Sequence, residues 1–147
     1  MAKVIMMDIK NLLALCDKMR KVMTRHYDSY FTDAPLTSTQ ATTLQYIALY
    51  GETQDVFQKD LEEFLSIRGS SASGMISYLE RDGYLSRECA SFDKRYKRLV
   101  LTEKGRALQE DLTARRERYT DSVFDGISEE ELKVFESVVL KIINNAT

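Results

Sequence analysis

The chain has one histidine, one proline and two cysteines in 147 residues, and each scarcity closes off a class of answer. A single histidine, His26, excludes a zinc site built on paired imidazoles and leaves a Ser-His-Asp triad with no imidazole but that one. Two cysteines, Cys16 and Cys89, cannot make a disulfide framework, which fits a reducing, cytoplasmic setting. No apolar run nears the roughly 20 residues needed to cross a bilayer. The opening MAKVIMMDIKNLLALCDKM mixes acids and bases without the layout of a signal peptide. No spacing suggests a metal site, and no motif implies a cofactor. Ser91-Phe92-Asp93-Lys94 has Ser-x-x-Lys spacing, but in a turn rather than on successive turns of a helix. Gly69 and Gly74 have P-loop spacing, yet Met75-Ile76 follows where Lys-Ser/Thr would hold phosphate. The expectation is a protein that is not an enzyme.

What remains is an ordinary globular composition, 44% apolar and 30% charged, with the breaks clearly marked. From Ile5 to about Phe31, apolar residues recur at helical spacing through Ile9, Leu12, Leu13, Cys16, Met19, Val22, Met23, Tyr27 and Tyr30. That predicts one long helix, about 39 Å at 1.5 Å per residue, broken at Asp33-Ala34-Pro35. Thr37 or Ser38 can cap a second helix to about Tyr50, ended by Gly51. A third spans Val56 to Leu65, with Val56, Leu61, Phe64 and Leu65 inward. The stretch SIRGSSASGMISYLERDGYL gives a fourth, stopped by Gly83. Two strands, Tyr84–Cys89 and Tyr96–Leu101, flank the turn 90–94. A helix from Thr102 to about Phe124 follows, then one behind the capping box Ser128-Glu129-Glu130-Glu131. The expected fold class is mainly α with a small β-hairpin wing. In it a winged helix-turn-helix (34–105) stands between an N-terminal helix (1–33) and C-terminal helices (106–147), both dimerisation elements.

The fourth helix opens with almost nothing but glycine and serine, residues that favour caps and turns over helix interiors. A helix that meets a duplex by its N-terminal end explains the choice, because small residues let backbone approach closely and hydroxyls reach bases or phosphates. With Ala72, Met75, Ile76 and Leu79 facing inward, Ser70, Ser71, Ser73, Gly74 and Ser77 face out. The charge pattern agrees. Between Ile67 and Arg106 there are nine bases against five acids, a local +4 that leaves −6 for the rest of a chain whose total is −2. An acidic protein with one basic face fits a partner of concentrated negative charge. On the hairpin, Arg87, Asp93, Lys94, Arg95 and Lys97 are the candidate contacts, with Asp93 orienting the Arg95 guanidinium by a bidentate pair.

The run Asp93-Lys94-Arg95-Tyr96-Lys97-Arg98-Leu99-Val100-Leu101-Thr102-Glu103-Lys104-Gly105 resembles the wing signature of the MarR family of bacterial transcriptional regulators. Leu79-Glu80-Arg81-Asp82-Gly83-Tyr84-Leu85-Ser86-Arg87 resembles that family's link from recognition helix to wing, and Leu36-Thr37 with Gln40 its second-helix start. The resemblance covers about 35 to 106. It implies a homodimer whose terminal helices intertwine and which binds a pseudo-palindromic operator in double-stranded DNA, most often as a repressor. By position it puts Ser70, Ser71, Ser73 and Ser77 at the major groove and Asp93 and Arg95 at the wing tip. Family members often carry a larger polar or basic residue where Gly74 stands, which shifts readout here toward backbone contacts and DNA shape.

The resemblance also implies release from DNA by a signal. A small, often aromatic, effector would lie among Met19, Met23, His26, Tyr27, Tyr30 and Tyr46; packing alone explains each of these residues singly. In one branch of the family a first-helix cysteine hydrogen-bonded by tyrosines senses hydroperoxides, which makes Cys16 a redox candidate beside the alternative of an inert thiol. The reading from another class is an adaptor whose winged helix binds protein rather than DNA.

Overall fold

The computed structural model describes the backbone of residues 2–147 and the side chains from Ile9 onward. Ile5, assigned above to the apolar stripe, lies outside the described side chains. The elements are α1 (Ala2–Ser29), α2 (Ser38–Tyr50), α3 (Gln58–Leu65), α4 (Gly69–Arg81), β1 (Leu85–Cys89), β2 (Lys97–Leu101), α5 (Glu103–Ala107), α6 (Gln109–Phe124) and α7 (Glu129–Ala146). No described helix is long and apolar enough to cross a membrane.

Local chemistry sets most of these bounds. Helix α1 closes at Ser29, earlier than its apolar pattern, because the amides of Tyr30 and Phe31 bond three residues back, to the carbonyls of Tyr27 and Asp28. This tighter turn ends the α-ladder before Pro35 is reached. Thr37, not Ser38, caps α2. Its hydroxyl accepts from the Gln40 amide at 3.3 Å while the Gln40 side chain accepts from the Thr37 amide at 2.9 Å. Ser38 is buried and donates to the Asp28 carboxylate, tying α2 back to α1.

Helix α4 ends in a Schellman motif. The Tyr84 amide bonds the Leu79 carbonyl at 2.9 Å and the Gly83 amide bonds that of Glu80 at 3.0 Å, with Gly83 at φ +81°, where a side chain would be strained. The same joint receives the far end of the wing. Thr102 donates its hydroxyl to the Gly83 carbonyl at 2.6 Å and its amide to Tyr84 at 3.1 Å, while its hydroxyl oxygen caps α5 through the Gly105 amide at 3.1 Å. A Cβ on Gly105 would lie 2.1 Å from the Tyr84 carbonyl oxygen, so only glycine fits. Gly83, Thr102 and Gly105, 22 residues apart along the chain, are thus one structural corner.

The hairpin pairs antiparallel, Leu85 opposite Leu101 and Cys89 opposite Lys97. Beyond β2 the Leu99 amide reaches the Val56 carbonyl at 2.7 Å, so the segment before α3 lies along the wing. Leu44, Ile47, Val56, Leu61, Ile76, Leu79, Leu85, Leu99 and Leu112 close over one core beneath α2–α4 and the hairpin.

Two sequence expectations change. The helix from Thr102 to Phe124 is interrupted at Leu108, where the Gln109 side chain donates to the Gly105 carbonyl at 2.9 Å; a side chain inserted into the helical ladder turns one helix into α5 and α6. Phe64 is not inward but 51% exposed, with its ring on Tyr46 at 4.6 Å.

Helix α7 buries no residue at all within the chain, although Val134, Phe135, Val138, Leu140, Ile142 and Ile143 lie along it. The apolar side of α1 is likewise open at Ile9, Leu12, Leu13, Leu15, Met19 and Val22. Helix α6 is tied to the segment after α1 by Arg115, only 8% exposed, whose guanidinium donates to the Tyr30 carbonyl and Asp33 carboxylate at 2.6 Å each and to Asp111 of its own helix at 2.7 Å. Asp33 first, then Asp111, hold its pKa above the ordinary arginine value.

Candidate nucleic-acid interface

Helix α4 begins after Arg68, and no side chain caps its first turn. The backbone amides there are supplied by neither serine nor threonine, which leaves the positive end of the helix dipole available to an anion. Ser70, Ser71, Gly74 and Ser77 are exposed and Ser73 is half-buried, whereas Ala72, Ile76 and Leu79 are buried. The predicted two-sidedness of this helix is therefore present. A Cβ on Gly74 would meet nothing within 4 Å, so no packing inside the chain calls for glycine. Gly74→Ala is expected to raise the unfolding free energy by about 1 kcal/mol, the helix-propensity gain, read as a higher urea midpoint. A partner lying against α4 at Gly74 would meet the added methyl, so the same variant is expected to weaken binding to such a partner.

At the wing tip the Arg95 guanidinium is held by Asp93 through Nε at 3.1 and 3.0 Å to the two carboxylate oxygens and through Nη2 at 2.7 Å, while the Arg95 amide bonds Asp93 at 2.9 Å. Arg95 holds the Asp93 carboxyl below the usual carboxylate range, so the pair stays charged through neutral pH. The arginine side chain is nonetheless 87% exposed. An exposed ion pair contributes little to stability. Its effect is to orient the guanidinium outward. Lys94 is exposed beside it.

The other wing cations divide. Arg87 points back to α4, bonding the Glu80 carboxylate and reaching the Ser77 hydroxyl at 3.3 Å. It ties β1 to the exposed face of α4, and Glu80 offsets its charge. Lys97 lies 2.9 Å from the Cys89 sulfur, and both side chains are exposed. Arg98 bonds Asp55 at 3.1 Å and Glu88 at 2.9 Å. Among the described residues these pairings leave Lys94 and Lys97 as the wing cations without a carboxylate partner.

The proposed effector residues do not form one group. Met23, His26, Tyr27 and Tyr30 gather around Tyr119 of α6. Tyr27 and Tyr119 have ring centroids 4.8 Å apart, the Tyr119 hydroxyl donates to the Met23 carbonyl at 3.4 Å, and His26 lies 3.2 Å from the Ser122 hydroxyl. Burial, then Tyr27, push the Tyr119 phenol up. Tyr46 stands apart, stacked on Tyr50 at 4.5 Å and on Phe64. Met19 is exposed on α1. Cys16 is also exposed, and Tyr27, eleven positions further along the same helix, lies about 16 Å away by the helical rise. Within one chain the two do not meet.

Known proteins share this outline. A model of the MarR family matches residues 34–95. YwhA of Bacillus subtilis (strain 168), described as an uncharacterized HTH-type transcriptional regulator, is 26% identical over 84 residues. The match covers 57% of this chain and 60% of YwhA, less than two thirds of that relative's length. Among solved structures, the transcription regulator MarR of Oenococcus oeni PSU-1 has a TM-score of 0.77 at 26% identity, over 90% of this chain and 98% of that one. MepR of S. aureus, solved as a DNA complex, reaches 0.80 at 22% identity over 90% and 94%, a likeness of fold. The winged segment, residues 34–95, is thus similar in sequence to the MarR family, and the terminal helices match a MarR regulator structure in fold.

Proposed function

We propose that the protein is a dimeric, sequence-specific regulator of transcription that binds double-stranded DNA, acts as a repressor and is released by a signal. The observation that carries this is the wing tip, where an arginine is fixed by three side-chain contacts to one carboxylate and still faces solvent. Such an arginine suits the narrow minor groove, where negative potential is strongest. Ser70, Ser71, Ser73, Gly74 and Ser77 of α4 are assigned to the major groove, and Lys94 and Lys97 to the phosphates. Arg87 is assigned an indirect part, holding β1 against Ser77. The terminal helices form the dimer, since among the described residues none of α7 is buried. Two α4 helices on a two-fold operator would then stand roughly 34–36 Å apart.

The test is binding to DNA from upstream of the protein's own gene, by fluorescence anisotropy across a salt series. Arg95→Ala is expected to weaken binding and to reduce the slope of log K against log salt by about one per wing. An unchanged slope would remove Arg95 from the interface. The adaptor alternative predicts no salt-dependent binding to any duplex in the same series.

A further inference from the structure

A cavity of about 340 Å³ lies behind the wing, between the C-terminal end of α2, the turn after it, β2 and the α5–α6 junction. It is separate from the aromatic cluster around Tyr119. Its floor is apolar, made by Ile47, Val56, Leu99 and Leu101, all buried. Two acids and two bases also line it, Glu52, Asp55, Arg98 and Arg106.

One of these pairs is closed, because Arg98 bonds Asp55 at 3.1 Å. Glu52 and Arg106 are exposed, and neither forms an ion pair among the described residues. Arg98 carries a second peculiarity. Its two terminal nitrogens are taken by Asp55 and Glu88, while its Nε is buried without a hydrogen-bond partner. A buried donor left unmet is costly and uncommon. A ligand suited to this lining brings an anionic acceptor for Arg106 and the half-exposed Arg98 guanidinium, a cation for Glu52, and an apolar body for the floor. The volume is at the small end of ligand pockets, roughly 300–1,000 Å³.

We propose that this cavity binds a small zwitterion with an apolar body, an α-amino acid of the leucine or phenylalanine class, and that its occupancy acts on the wing. The lever is Arg98. It stands on β2, reaches Glu88 on β1, and contributes to the cavity wall. A carboxylate drawn to this guanidinium competes with Asp55 and Glu88 for the group that clamps the two strands together. The effect on DNA rests on the function proposed above, whereas the binding site does not.

Isothermal titration of the full chain, without DNA, with L-leucine and L-phenylalanine tests the site. One molecule is expected per chain. 3-Phenylpropionate and 2-phenylethylamine, each lacking one charge, should bind about tenfold or more weakly than phenylalanine. Arg106→Gln and Glu52→Gln, both at exposed positions, should cost a similar factor with the thermal midpoint unchanged. Ala48→Phe, which fills the cavity from α2, should remove binding. Absence of binding by both amino acids at millimolar concentration overturns the proposal, as does binding that these three variants leave intact. Equal binding of 3-phenylpropionate overturns the zwitterion and the role of Glu52. A duplex-binding measurement with and without the bound amino acid follows. A protein that binds the amino acid but no duplex refutes the proposed function alone, and one whose duplex affinity ignores a bound amino acid refutes the action on the wing.

Discussion

Ser71→Glu is expected to lower operator affinity by about thirtyfold or more while leaving the free protein at least as stable as before. Ser71 is the third residue of α4, exposed, on an uncapped first turn. A carboxylate there would stand within a few ångströms of a phosphate or base edge if α4 enters the major groove. Like charges about 4 Å apart repel by roughly 1 to 4 kcal/mol between bulk water and an effective dielectric near 20. A two-fold complex doubles that figure. In the free protein the sign reverses, because a negative side chain in the first turn of a helix interacts favourably with the exposed amides by about 0.3–1 kcal/mol. The opposed signs separate lost binding from lost folding in one variant. Full affinity in Ser71→Glu, measured by anisotropy beside a urea melt, would mean that this helix faces away from DNA.

The double variant Phe135→Glu with Ile142→Glu should convert dimer to monomer. The two residues are seven apart on α7, hence on one face, and are 51% and 54% exposed in the single chain. Burying an apolar side chain of this size gives roughly 1.5–3 kcal/mol. Two residues from each of two chains make about 6–12 kcal/mol, comparable to the roughly 8 kcal/mol of a micromolar dimer. The substitution also requires four carboxylates to leave water. Because α7 buries nothing within its own chain, the monomer keeps its winged-helix core. Sedimentation velocity reads the association state. Operator affinity should fall with it, since a monomer offers half the phosphate contacts and a shallower salt dependence. A variant that remains dimeric would place the interface elsewhere.

How far these elements were legible differs from case to case. Thr37 with Gln40, Ser128 with Glu131, and Gly83 after α4 act on backbone groups within a few residues, and each stands where its pattern indicated. The Asp93–Arg95 pair is equally local, two residues apart in a tight turn. Gly105 was legible only as part of a family signature. Its reason, the approach of the Tyr84 carbonyl, depends on a segment some twenty residues earlier.

Other features had no local cause. Phe64 has the spacing of a core residue, yet the core side of α3 is filled by Leu61 and the ring turns to Tyr46 instead. Arg115 reads as half of an i,i+4 pair with Asp111, a surface pattern. Its burial comes from Tyr30 and Asp33, more than eighty positions away. Tyr119 has no local feature that marks it, and packing makes it the centre of an aromatic group drawn from α1. Arg98 and Arg106 count only as positive charge in the sequence, whereas packing puts both in the lining of one cavity and leaves the Arg98 Nε buried without a partner.

Helix ends, turn chemistry, the two faces of α4 and the pairing at the wing tip follow from interactions over about five residues or fewer, where sequence neighbours are also neighbours in space. Which cations stay outward, which aromatics meet, and where a cavity opens depend on how distant segments close over one another. That closure is a balance of packing and desolvation across the whole chain, and no short stretch carries it.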